Sequence, residues 1–136
     1  MFTYFNNNPT VRYKKDGTPC RWHKCDCSIR ALCAATGKSW LEIFDLLTAV
    51  GRECFDPFGT PVVEKAMERI GFVRGKSVQP KRGEKRLTVN DFEKKFKKGT
   101  YVLFVANHMV CVKDGDHYDT WDCGSKCVYT YWKLPS

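Results

Sequence analysis

Residues 99–121, "GTYVLFVANHMVCVKDGDHYDTW", contain two strand-forming patterns and one turn signal. Thr100 to Ala106 is a near-continuous apolar run, the length of one strand. From His108 the chain reads as a hairpin whose turn is Lys113-Asp114-Gly115-Asp116, the Asp-Gly pair supplying the positive φ that such turns need. A four-residue turn sets Val112 opposite His117, Val110 opposite Asp119 and His108 opposite Trp121. His108 and Asp119 then share one face of adjacent strands as diagonal neighbours, within reach of a side-chain hydrogen bond. Asp122 falls on the other face of a regular strand. A bulge or a shorter turn would exchange the two aspartates. "CVYTYWKL", residues 127–134, reads as a last alternating strand.

Upstream, the periodicity changes to that of helices. Asp26 stands before a helix predicted over Cys27 to Thr36, as its N-cap, and Gly37 fits the left-handed residue that follows a helix. Ser39 and Glu42 form a capping box that opens a helix from Trp40 to Val50, with Trp40, Ile43, Phe44 and Leu47 on one face and Gly51 as its stop. "GTPVVEKAMERIG", residues 59–71, is a third helix, capped by Thr60, with Pro61 at the first helical position. "LTVNDFEKKFKKG", residues 87–99, is a fourth, with Thr88 and Asp91 as capping pair, Phe92 and Phe96 as apolar stripe and Gly99 as stop. Residues 1–19 read as an irregular lead-in. The expected fold class is α+β: one domain over residues 1–136, a helical N-terminal half packed on a C-terminal antiparallel sheet.

The 136 residues are 43% hydrophobic and 14% aromatic, a globular composition that can fill one core. No run approaches the roughly 18 apolar residues of a membrane span. The opening "MFTYFNNNPTVRYKKDG" lacks a basic head followed by an apolar core, so a cytoplasmic protein is expected. The eight cysteines, at 20, 25, 27, 33, 54, 111, 123 and 127, are then thiols, metal ligands or a catalytic group rather than disulfides. The net charge of +8 concentrates in residues 76–98, where nine Lys or Arg meet three acids. That surplus favours an acidic substrate or partner. The run lacks the aromatic interleaving of a base-stacking surface, which argues against nucleic acid.

Cys27 at a helix N-terminus is chemically distinct, because free N–H groups and the helix dipole favour its thiolate. A cysteine nucleophile needs a base, usually His, and the base needs an orienting group. The chain has three histidines, His23, His108 and His117. His108, with Asp119 or else Asp122 behind it, completes such a set.

That order, a helix-borne Cys, a strand-borne His and then Asp on the next strand, resembles the papain-like cysteine peptidases. "DCSIRAL", residues 26–32, resembles the nucleophile helix of their compact bacterial and phage forms, and residues 99–121 resemble their His hairpin. Asp119-Thr120-Trp121 resembles the Asn-Ser-Trp that carries the orienting Asn in papain, and bacteriocin-processing peptidases share the layout. The resemblance runs in order over residues 20–132 and is most specific at 26–32 and 99–122. It implies Cys27 as nucleophile, His108 as base, Asp119 or Asp122 as orienting group, and the Cys27 N–H as one oxyanion donor. It implies a peptide or isopeptide substrate, hydrolysed through an acyl-enzyme without an organic cofactor. Where the family usually carries a Gln six residues before the cysteine, this chain has Arg21; Arg21 or His23 would have to supply the second oxyanion bond.

Two other readings compete. A papain-like fold can bind without turnover. Alternatively Cys20, Cys25, Cys123 and Cys127 could hold a structural zinc in a basic domain that binds protein or nucleic acid, although C-x₄-C-x-C with C-x₃-C is no established zinc spacing. Cys33 and Cys111 read as small core residues, His117 as a solvated strand end and Arg30 as a structural ion-pair partner.

Overall fold

A computed structural model describes residues 1–20 and 25–135. The fold is α+β, with helices α1 (Cys27–Thr36), α2 (Trp40–Cys54), α3 (Thr60–Ile70) and α4 (Val89–Lys95). Six strands, β1 (Phe2–Tyr4), β2 (Val73–Arg74), β3 (Thr100–Val105), β4 (His108–Lys113), β5 (Asp116–Asp119) and β6 (Thr130–Leu134), form one sheet in the order β1-β5-β4-β3-β6-β2. No helix among the described residues is long and apolar enough to cross a membrane.

The sheet is mixed, which corrects the antiparallel expectation. β1 runs parallel to β5, pairing Phe2 with His117 and Tyr4 with Asp119, while the other ladders are antiparallel. The lead-in is therefore irregular only after Tyr4. Three residues are too few to show a period, so β1 left no pattern to read.

The two central strands are apolar on both faces for a visible reason. Val102, Met109 and Cys111, with Trp132 of the neighbouring β6, pack with α1, α2 and α3, whereas Tyr101, Leu103, Val105, Val110 and Val112 pack with Val89 and Phe92 of α4 and with Cys123 and Val128. Helices thus cover both faces, not one, and a strand buried twice loses its polar alternation.

Boundaries differ where tertiary contacts override local signals. α2 runs past Gly51 and closes on Phe55, which takes the left-handed conformation. Gly51 serves a close approach instead of a stop: a Cβ there would lie 2.5 Å from the Asp56 carbonyl oxygen. Gly59, not Thr60, is the N-cap of α3, and its N–H donates to Asp56 Oδ1 at 2.9 Å. The Thr88–Asp91 capping box forms as read, although α4 gives way at Phe96 before reaching Gly99.

The hairpin that carries the site has the expected register. Asp114 and Gly115 both adopt positive φ, at 50° and 85°, the two-residue turn whose twist matches the flanking strands. Val112 faces His117 across β4 and β5. A second tight turn, with Asn107 at φ 53°, joins β3 to β4 and places His108 first on its strand.

Candidate active site

Cys27 is the first residue of α1, where its N–H has no acceptor within the helix. Asp26 precedes it but makes no side-chain cap, contrary to expectation. Its carboxylate is fully committed elsewhere, accepting Arg30 Nε at 2.8 Å, Asn8 Nδ2 at 3.0 Å and Trp40 Nε1 at 3.0 Å. Those three bonds tie the lead-in, α1 and α2 to the residue before the thiol.

His108 meets the Asp119 carboxylate through Nε2 and Oδ2. The same imidazole and the Met109 backbone lie near enough to the Cys27 thiol to favour its ionised form. Asp119 is 2% exposed and fixed from several sides. Arg30 Nη1 donates to its Oδ1 at 2.9 Å, the Thr120 N–H at 2.7 Å, and the Cys123 thiol to Oδ2 at 3.4 Å. The Trp121 ring lies 5.0 Å from the imidazole, tilted over it. Asp122 does not orient His108. It accepts His117 Nε2 at 2.7 Å and the Gly124 N–H at 2.9 Å. His117 itself is buried between Glu93 and Asp122, so the solvated strand end expected there is corrected.

These contacts make a line of alternating charge: Asp26, Arg30, Asp119, His108, Cys27. Burial opposes each ionised form, and neighbours reverse the effect. Burial raises Cys27, but the bond from His108, the Met109 N–H and the charges of His108 and Arg30 hold its thiol below the ordinary value. Burial lowers His108, yet Asp119, Cys123 and Cys27 push it up to about 11. Asp119 and Asp26 are both depressed against burial, Asp119 first by His108 and Asp26 first by Asn8 and Arg30. The net preference is for thiolate beside imidazolium. By contrast, burial lifts Cys111 to about 12, as befits an inert core thiol, and Cys33 is likewise raised by burial.

Arg21 and His23, the candidate second oxyanion donors, lie outside the described residues. The alternative zinc set of Cys20, Cys25, Cys123 and Cys127 is not gathered. Among the described residues, the only group of three or more candidate ligands within 4.8 Å of one another is His108, Asp119 and Cys123. Arg30, expected as a structural ion-pair partner, and Cys123, expected only in the alternative zinc set, are the neighbours the sequence did not place beside His108 and Asp119. Arg30 falls on α1 one turn after Asp26, a spacing that signals the first ion pair but not the second, 89 residues away.

No family model, curated protein or solved structure shows a match to this chain.

Proposed function

We propose that this chain is a cysteine peptidase or related amide hydrolase of papain-like layout, with Cys27 as nucleophile, His108 as base and Asp119 as orienting group. One observation carries the reading: the His108 imidazole lies between the Cys27 thiol and a buried Asp119 that Arg30 holds in place. With Nε2 on Asp119, Nδ1 is the ring nitrogen left for the thiol.

The Cys27 thiolate attacks the carbonyl carbon, and its sulfur bond forms as the C=O electron pair moves to oxygen. The helix-start N–H of Cys27 faces the developing oxyanion as one donor. His108 gives its Nδ1 proton to the leaving amine as the C–N bond breaks, leaving a thioester on Cys27. A water then attacks the thioester, His108 takes its proton, and the acid and the thiolate–imidazolium pair are regenerated. Asp119 keeps the imidazole in the required tautomer, and the Trp121 ring packs 5.0 Å from the imidazole. The exposed Lys and Arg of residues 76–98 favour an acidic substrate segment.

Iodoacetamide labelling at pH 6, read by peptide mass mapping, tests this directly. Cys27 is expected to react ahead of the other seven cysteines, and His108→Ala to slow it at least tenfold. Equal reactivity of Cys27 and exposed Cys25 refutes the pair. A reactive Cys27 that cleaves no amide in a peptide and isopeptide panel supports a binding module instead.

A further inference from the structure

The imidazole of His108 meets a second thiol that the proposed reaction does not use. Cys123 is fully buried, with its Sγ 3.4 Å from Asp119 Oδ2 and within 4.8 Å of a ring nitrogen of His108. One ligand atom from each of His108, Asp119 and Cys123 lies within 4.8 Å of the other two.

That triangle has the dimensions of a metal site. Zinc bonds of roughly 2.3 Å to sulfur and roughly 2.0–2.2 Å to nitrogen and oxygen put tetrahedral ligand atoms about 3.3–3.6 Å apart. The Sγ–Oδ2 edge already has this length, at 3.4 Å. The His108–Asp119 edge must open from hydrogen-bond contact. His108, the least buried of the three, can supply that movement. Thiolate, imidazole and carboxylate together suit zinc rather than magnesium or calcium. Outer support is in place as well, since Asp119 Oδ1 is held by Arg30 and the Thr120 N–H.

We propose that His108 Nε2, Asp119 Oδ2 and Cys123 Sγ bind a zinc ion with one open coordination position, and that its binding switches off Cys27. The site stands on the geometry alone, whereas the switch rests on the peptidase reading. Zinc takes the Nε2 lone pair and the Cys123 sulfur, and the protons of both go to solvent. The proton left on the imidazole then sits on Nδ1. A metal-bound imidazole in that state is no longer an imidazolium and has no free nitrogen to act as base, so the Cys27 thiolate loses its cationic partner and takes a proton from solvent.

The test measures Zn²⁺ by equilibrium dialysis in a phosphine-reduced buffer, and Co²⁺ by its thiolate charge-transfer and tetrahedral d–d bands. Wild type is compared with Cys123→Ala, His108→Gln and Cys27→Ala, each checked for folding by circular dichroism, with Cys123→Ser standing in where the alanine variant does not fold. One zinc is expected to be lost, or weakened about 100-fold or more, in the Cys123 and His108 variants and kept in Cys27→Ala. Zinc should slow iodoacetamide labelling of Cys27 at least tenfold in wild type and leave the Cys123 variant at its own metal-free rate. The proposal is overturned if wild type binds no zinc at micromolar concentration, if the ion survives loss of Cys123, or if Cys27→Ala removes it. If Cys27 is inert in metal-free protein while the Cys123 variant still loses its zinc, the switch and the peptidase reading fall together and the metal site alone stands.

Discussion

Arg30→Met removes the one cation between two buried carboxylates. Arg30 is 5% exposed, Asp26 5% and Asp119 2%, so solvent cannot take over the lost partner. Breaking a buried ion pair by deleting one member costs about 3–5 kcal/mol. Two pairs are broken here, but the cost does not double. Asp26 keeps Asn8 and Trp40 as donors, and Asp119 keeps the Thr120 N–H and His108. The expected loss is therefore about 3–5 kcal/mol. A domain of this size has roughly 7–20 kcal/mol of stability, so the variant is expected to fold. The corresponding fall in Tm is on the order of 10–20 °C.

The assay is urea denaturation at pH 7 with wild type, Arg30→Met, Asp26→Asn and the double variant. The midpoint should fall at unchanged m-value for Arg30→Met. Adding Asp26→Asn should restore part of that loss, because one of the two stranded anions is gone; the coupling should exceed about 1 kcal/mol. A single-variant loss under about 1 kcal/mol, the range of exposed pairs, would falsify the claim that this line of charge is buried and interdependent.

The rate of amide cleavage should trace a bell against pH. Its lower limb reflects the depressed thiol and lies below the usual cysteine value, and its upper limb follows loss of the imidazolium near 11. A single rise at the ordinary thiol value refutes the pair. Acid should destabilise the fold through Asp26 and Asp119. Both are held below the ordinary carboxylate range, so they contribute stability at and above that range, and it is lost as pH falls through the depressed values. Urea midpoints of Asp26→Asn should be flatter than wild type below pH 4, and parallel curves would count against this. Gly51→Ala should destabilise by about 1–3 kcal/mol, since its Cβ meets the Asp56 carbonyl, although Ala in a helix ordinarily stabilises relative to Gly. A raised Tm would show that the α2–α3 connection yields.

What could be read along the chain was whatever depends on neighbours in sequence. The span of α1, the Thr88–Asp91 box and the β4–β5 register all rest on caps, periods and a turn within a few residues, and the structure contains them as read. The register then puts Asp119 rather than Asp122 against His108, because the Asp-Gly turn leaves no extra residue to shift the pairing. Contacts between distant segments left no such trace. Asp26 looked like a cap because Asp before a helix usually is one; Asn8, Arg30 and Trp40 compete for its oxygens, and three buried donors outweigh one free N–H. His117 looked solvated because it follows a turn, but β1 lays Phe2 against its ring and Glu93 reaches it from α4.

The alternation of charge bears on how a thiolate can persist where it is half-buried. An isolated cysteine in that position would be neutral, because burial penalises the anion. An imidazolium alone would not repair this, since it too loses hydration. Each charge in the line is flanked by its opposite, so every desolvated group except the outermost two has two partners. Asp26 at one end is closed off by Asn8 and Trp40, and Cys27 at the other end is half-buried. In the proposed reaction the thiolate becomes a thioester and His108 gives up its proton, so one negative and one positive charge vanish together. The remaining Asp26–Arg30–Asp119 segment keeps the same net charge as the resting line. The buried network therefore does not have to reorganise between the two states, and in the proposed reaction its fixed geometry would preorganise the imidazole for both halves.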